Sequence, residues 1–297
     1  MKPKALFKDP ELQEQIDEKG FVTLPFIGES ELEELRSFYN EMHPDGAPGK
    51  IDGIHMTTWC EDHDYKMKVA NRLSEIYRKP SEAVFKNYRR LNNVFIVKDT
   101  GETPFKVHQD WNVVDEKENF AINVWIPLHD ITMNEGGLWV VEGSHKIDRH
   151  VRGSAYLFPN YSPFNDELEK AAKSVSLKAG EAIIFYVNII HGSPSNYGET
   201  ERIATCFSVI PKNVPLNIYF QKEAGDPLEI HAPNDDFVYH YKHLRTETFE
   251  RAPTENPVST LDSFVNHPID RSELLPFLAA PVRKKTRWWQ FGTKKEL

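Results

Sequence analysis

Apolar positions in the first 80 residues recur mostly at helical spacing, and from about residue 92 they alternate at the period of a strand. Leu32, Leu35 and Phe38/Tyr39 form a stripe along one helix face. Ser30 and Glu33 have the form of a capping box at its start. A shorter helix is predicted over 9–20, with Pro10 near its start and Gly20 past its end, and a strand over Phe21–Pro25 follows. Residues 64–79 read as a further helix. The stretch 43–60 between them is loop-like, with Pro44, Gly46, Pro48, Gly49 and Gly53. Loops of that length are often lids over sites.

The second region reads as short strands separated by turns. Residues 92–97 precede a turn at Asp99-Thr100-Gly101, and 105–111 form the next strand. In 120–128, Ile122, Val124, Ile126 and Leu128 share one face, and Asn123 and Trp125 share the other, which is expected to look into a barrel. A turn at 134–137 and a strand at 138–141 end in Gly143 and Ser144, which assign His145 to a tight structural turn. Residues 147–174 are an irregular insertion carrying Tyr156, Phe158, Tyr161 and Phe164. Residues 182–191 are expected to be one buried strand, with Ile183, Phe185, Val187 and Ile189 on the side of His191. In the strand 202–210, Arg202, Ala204, Cys206 and Ser208 share a face. Such strands suit an antiparallel double-sheet jelly roll, a mainly β fold with flanking helices.

After Pro211 the pattern weakens. Residues 251–281 are Pro-rich, and the tail carries Arg283, Lys284, Lys285 and Arg287 before Trp288-Trp289-Gln290-Phe291. We expect the tryptophans to dock back on the domain. The chain reads as a single domain over 1–297, with a core at about 15–211 and an extension at 212–297 packed on it.

Composition narrows the class. A formal charge of −9 over 297 residues argues against general nucleic-acid binding, which needs a basic footprint. The two cysteines, Cys60 and Cys206, lie far apart and fit neither a disulfide framework nor a zinc site, so reduced thiols in a cytoplasm are expected. No apolar run reaches the roughly 18 residues of a membrane span, and residues 1–10 lack the apolar core of a signal peptide. The basic run at Lys86, Arg89 and Arg90 reads as a solvated face or as help for an anionic substrate. Composition leaves the oligomeric state open.

The candidate chemistry begins at His108-Gln109-Asp110. Residues i and i+2 of a strand point to one face, so His108 and Asp110 reach one point together. His191 ends a later apolar run. Two histidines and one carboxylate without cysteine suit a non-haem Fe(II) site that leaves positions open. Arg202, on a face of small residues, has room to extend inward, and its planar fork suits a buried carboxylate.

Two segments carry a family resemblance: Asn123-Val124-Trp125-Ile126-Pro127-Leu128-His129-Asp130 through Asn134-Glu135-Gly136-Gly137-Leu138 to Gly143-Ser144-His145-Lys146, and Lys178-Ala179-Gly180-Glu181 through His191-Gly192-Ser193 to Arg202. With Gly20-Phe21-Val22-Thr23-Leu24-Pro25, they resemble the phytanoyl-CoA dioxygenase family over about residues 15–211. The resemblance implies a double-stranded β-helix using Fe(II), 2-oxoglutarate and O2. It implies that His108, Asp110 and His191 are the iron ligands. Arg202, assisted by Ser193, would bind the distal carboxylate of 2-oxoglutarate. Trp125 would line the cosubstrate pocket, and strand parity adds Asn93. Related halogenases have Gly or Ala where this chain has Asp110, so Asp110 points to hydroxylation. Glu142 departs from the family, which more often has Pro there.

The charges agree with this reading, because those of the ferrous ion, the carboxylate ligand, dianionic 2-oxoglutarate and Arg202 cancel, which a dry pocket requires. The expected function is oxidation of an aliphatic C–H bond of a small molecule, with release of succinate and CO2. Two other readings stand beside it. A metal-dependent cupin-type isomerase or hydrolase would form no succinate and would not need Arg202. A non-catalytic protein of the same fold would bind ligand without consuming oxygen.

Overall fold

The computed structural model describes residues 5–147, 150–153, 157–248 and 250–278. The expectations for Tyr156 and for the basic-aromatic tail at 283–291 lie outside the described residues.

The N-terminal helices form where their caps and stripes lie. In α1 (Pro10–Lys19) the Asp9 side chain accepts from the Glu11 N–H, and Gly20 ends the helix at φ 88°, a left-handed conformation open to glycine. Strand β1 (Phe21–Pro25) follows. Helix α2 (Glu29–Met42) starts two residues earlier than the capping box at Ser30 and Glu33 predicted. Gly28 is its N-cap, with no side-chain cap, so Ser30 lies within the first turn. Its stripe of Leu32, Leu35, Phe38 and Tyr39 is buried as expected.

The 43–60 stretch is only partly a loop. Residues 54–56 form β2 (Ile54–Met56), and His55 is fully buried. The helix expected over 64–79 is two: α3 (His63–Ile76), capped by Asp62, and α4 (Arg78–Val84).

The strands that follow are β3 (Tyr88–Lys98), β4 (Phe105–His108), β5 (Ile122–Pro127) and β6 (Trp139–Val140). Helix α5 (Asn165–Ala171) lies in the insertion and precedes β7 (Lys173–Ser174). Then come β8 (Glu181–Tyr186), β9 (His191–Ser193) and β10 (Arg202–Pro211). Among the described residues these make a six-stranded sheet, β1-β8-β5-β10-β3-β2, and a four-stranded sheet, β4-β9-β6-β7, with antiparallel pairing throughout. The fold is the expected cupin-like jelly roll.

Strand alternation divides the two faces of the large sheet. Ile122, Val124, Ile126, Phe207 and Val209 face outward and pack against Leu35, Val69, Leu73 and Tyr77 of the helices. Each side chain as fully buried as Leu35 or Val69 contributes about 1.5–3 kcal/mol. Trp125, Ile183, Phe185 and Ala204 face inward and meet Val140 and Ile189 between the sheets.

The run 182–191 is not one strand. It leaves the large sheet after Tyr186, turns with the Ile189 N–H donating to the Tyr186 carbonyl at 2.9 Å, and enters the small sheet as β9. Simple alternation therefore does not carry from Ile183 to His191, and Val187 packs in a different cluster, with Leu91 and Val94. The chain must cross to close the barrel. Asn188, a turn former within the apolar run, marks the crossing and donates to the His145 carbonyl at 2.7 Å.

Beyond residue 211, β11 (Ile218–Phe220), β12 (Leu228–His231) and β13 (Ser259–Leu261) form a three-stranded sheet. Helix α6 (Leu244–Glu247) lies between β12 and β13 in sequence, and α7 (Arg271–Leu278) follows β13. Phe237, Val238, Tyr239 and Tyr241 pack on Leu91, Val94 and Ile210, and Leu274 packs with Trp139, Val141 and Ile190. No helix among the described residues is long and apolar enough to cross a membrane.

Candidate metal centre and anion cradle

His108 and His191 are direct cross-strand partners in the β4–β9 pair. Their ring centroids are 4.2 Å apart. Strand β9 fits between β4 and β6 because Gly192 has no side chain. A Cβ there would stand 2.5 Å from the Trp139 ring and 3.0 Å from the Phe105 carbonyl oxygen.

Asp110 lies two residues beyond the end of β4, so the strand expected over 105–111 is shorter than its pattern suggested. The Asp110 N–H donates to the Val187 carbonyl at 2.8 Å, which returns the carboxylate to the two imidazoles. His108 Nε2 is 3.5 Å from Asp110 Oδ1, and His191 Nε2 is 3.7 Å from Oδ2. All three donor atoms lie within 4.8 Å of one another. Gln109, between them, faces away, donating to the Asn188 carbonyl and accepting from Tyr161 Oη at 2.7 Å.

The tautomers follow from the backbone. His108 Nδ1 is 2.8 Å from the Lys106 carbonyl and His191 Nδ1 is 3.0 Å from the Ile189 carbonyl. A carbonyl only accepts, so each Nδ1 carries the proton and each Nε2 presents a lone pair. Burial first, and then neighbouring His108, push His191 down to about 4, so it is neutral at neutral pH. Burial by itself would raise the Asp110 carboxyl, but His191, His108 and the Asn123 amide hold it at about 2. The donor set is therefore imidazole nitrogen and carboxylate oxygen without sulfur, which suits Fe(II) with open positions. Side-chain exposures of 24% for His108 and 31% for Asp110, against 7% for His191, place the opening on the His108–Asp110 side.

Further residues hold Asp110. Asn123 Nδ2 donates to Asp110 Oδ2 at 2.7 Å, and Ser208 Oγ donates to Asn123 Oδ1 at 2.7 Å. Both side chains face inward, as their strands' alternation predicted. Arg152, fully buried in the insertion, donates through Nε to the Asp110 carbonyl at 2.6 Å and pairs with Glu116 at 2.5 Å. Sequence reasoning missed Arg152, because an arginine in an irregular segment reads as surface. Partners that orient metal ligands are worth about 10- to 100-fold in metal affinity. Asn123→Ala is accordingly expected to weaken Ni(II) or Fe(II) binding by about that factor, as read by competition with a chromophoric chelator. An unchanged affinity would remove Asn123 from the site.

A second group lies at the Arg202 end. Arg202 is 3% exposed, its Nη1 donates to the Gly136 carbonyl at 2.6 Å, and its guanidinium carbon is 5.2 Å from the centre of the Trp125 ring. Its Nε is buried without a partner. Burial pushes the guanidinium down to about 10. Among the described residues no carboxylate pairs with it. Ser193 is buried two residues beyond His191 on β9, which puts it on the same face about 7 Å along the strand. A buried arginine with a free N–H and no acid fits an added carboxylate, and so fits 2-oxoglutarate.

Asn93 is less well connected. It lies where the β3–β10 register shifts, its carbonyl accepts from Tyr239 Oη at 3.1 Å, and its Oδ1 is buried without a partner. The irregularity breaks the strict parity that assigned it to the pocket. His145 is structural, stacked on Tyr186 with ring centroids 5.1 Å apart and bonded to the Asp17 carbonyl. In the basic run, Arg89 pairs with Asp235, and Arg90 lies over Phe207 and donates to the Ser74 carbonyl. The Arg90 contacts lie on the helix-facing side of the large sheet, whereas Arg89 meets the segment after β10.

Comparison with known proteins agrees with this arrangement. A curated phytanoyl-CoA dioxygenase from Arabidopsis thaliana is 30% identical over 156 residues, which are 50% of this chain and 52% of that protein. The chain thus matches about half the length of that relative. Among solved structures, HygX from Streptomyces hygroscopicus, with nickel, 2-oxoglutarate and hygromycin B bound, is similar with a TM-score of 0.50 and 18% identity. That match covers 69% of this chain and 88% of HygX. The carbocyclase SnoK from nogalamycin biosynthesis gives 0.51 at 17% identity, over 70% and 86% of the two chains. The epimerase SnoN, in complex with Fe3+, alpha-ketoglutarate and nogalamycin RO, gives 0.51 at 16%, over 70% and 87%. At such identities these three share the fold. The sequence itself matches the phytanoyl-CoA dioxygenase (PhyH) family across residues 19–204, from the last residue of α1 into β10, and on that match the chain belongs to this family.

Proposed function

We propose that the protein is an Fe(II)- and 2-oxoglutarate-dependent dioxygenase that hydroxylates an aliphatic C–H bond of a small organic molecule. The observation that carries this reading is the direct pairing of His108 with His191 across β4 and β9, with Asp110 folded back onto both. When bound, the ferrous ion and 2-oxoglutarate supply oxygen activation coupled to decarboxylation to succinate and CO2.

The protein's part is placement. His108, Asp110 and His191 hold the metal, and the Nδ1 bonds to backbone keep both lone pairs aimed at it. Arg202 and Ser193 bind the distal carboxylate, and Trp125 covers the guanidinium. Ile183, Phe185 and Ile189 exclude water from the inner wall, and the buried, unpartnered Oδ1 of Asn93 supports its place in the proposed pocket. Asp110, where Gly or Ala would free a coordination position for halide, supports hydroxylation.

We take 1–297 as one domain, supported by the packing of 237–241 and of Leu274 on the barrel. The two free cysteines support a cytoplasmic setting.

The test is an anaerobic titration with Fe(II) and 2-oxoglutarate, followed by admission of oxygen over a substrate library. Oxygen-dependent succinate is expected, together with a product carrying one added oxygen atom. Absence of succinate with every substrate would leave the hydrolase or isomerase reading. Succinate with a cyclised or epimerised product would keep the oxygenase and reject hydroxylation.

A further inference from the structure

Lys98, the last residue of β3, is fully buried, and sequence reasoning passed over it as a strand end. It is the direct cross-strand partner of Arg202 in the β3–β10 pair. Its Nζ donates to Ser193 Oγ at 2.5 Å and to the Pro194 carbonyl at 2.6 Å. Among the described residues no carboxylate pairs with Lys98, as none pairs with Arg202. Two buried basic side chains on paired residues, with no acid between them, are unfavourable as charges unless an anion joins them. Burial first, and then the Arg202 charge, push the Lys98 amine down to about 6. A carboxylate placed beside it works in the opposite direction.

The serine gives the direction. A hydroxyl has one proton and two lone pairs. Lys98 occupies a lone pair of Ser193 Oγ, so the hydroxyl proton is free to donate elsewhere. Gly136 makes the room. It adopts φ 70°, a Cβ there would come within 3.0 Å of Lys98 Cδ and 3.2 Å of the Pro194 carbonyl oxygen, and its own carbonyl holds Arg202. One glycine thus lets lysine and arginine approach the same point.

We propose that Lys98 is a second anchor for the distal carboxylate of 2-oxoglutarate, acting beside Arg202 and through Ser193, whose hydroxyl it turns to donate to that carboxylate. The inference rests on the oxygenase reading above and assigns to that site a positioning residue. It makes the cradle selective for a dicarboxylate over a 2-oxo monoacid.

The test is calorimetric and needs no turnover. Binding of 2-oxoglutarate and of 2-oxopentanoate, which has the same chain length without the distal carboxylate, is measured on Ni(II)-loaded protein. Wild type is expected to prefer 2-oxoglutarate. Lys98→Met should weaken 2-oxoglutarate about 10- to 100-fold, the value of a hydrogen bond to a charged group, and leave 2-oxopentanoate within about 2-fold. Ser193→Ala in the Lys98→Met background should then cost less than in wild type. Lys98→Gln, which keeps N–H donors without charge, provides a second measurement if the methionine variant does not fold.

Unchanged 2-oxoglutarate affinity in the folded variants would overturn the role of Lys98 and leave the oxygenase reading standing. Equal weakening of both acids would reduce Lys98 to a structural residue. Wild type that binds neither acid would overturn the oxygenase reading and this inference with it.

Discussion

His191→Ala is expected to abolish oxygen-dependent succinate formation and to weaken metal binding by more than about 100-fold. Residues that merely orient metal ligands are worth about 10- to 100-fold, and His191 supplies a donor atom itself. Its Nε2 lone pair is fixed by the Nδ1 bond to the Ile189 carbonyl, and its ring packs against Phe185 with centroids 5.0 Å apart. No neighbouring donor replaces it, since among the described residues the cluster holds only His108 and Asp110 besides. The measurements are a chelator competition for Ni(II) and a succinate assay with Fe(II), alongside thermal unfolding to show that the barrel persists. Wild-type succinate output from a folded His191→Ala variant would remove the iron assignment.

The second large effect separates binding from stability. Arg202→Met is expected to raise the Kd for 2-oxoglutarate about 30- to 4000-fold, since truncating one partner of a buried, hydrogen-bonded charge pair costs about 2–5 kcal/mol. The same change should leave the melting temperature near wild type or above it. Arg202 is buried without an acid, and burial disfavours its charged form. Replacing such a group with an apolar side chain of similar size is often neutral or stabilising. The loss of contact with Trp125, about 0.5–2 kcal/mol, works the other way. Calorimetry on Ni(II)-loaded protein and a thermal melt read the two quantities separately. Unchanged 2-oxoglutarate affinity would remove Arg202 from the cosubstrate site. A collapse of stability with it would make Arg202 a structural residue. Together with the Lys98 experiment, this divides the cradle into two separately removable charges.

The sequence by itself determined the fold class, the faces of the inner strands and the kinds of donor. Alternation in 120–128 and 202–210 needs only a two-residue period, which is enough to put Asn123, Trp125, Arg202 and Ser208 on inward faces. The H-x-D spacing likewise brought His108 and Asp110 together, although Asp110 proved to lie beyond the strand. Tertiary structure alone decided what crosses between sheets. The turn at Asn188, which carries the run from β8 into β9, sets His191 opposite His108, and a local pattern cannot register two strands some 80 residues apart in the chain. The same limit hid Lys98 and Arg152. Each reads locally as an ordinary surface cation, and each becomes part of the site only when distant segments close over it and remove the water that would otherwise solvate its charge.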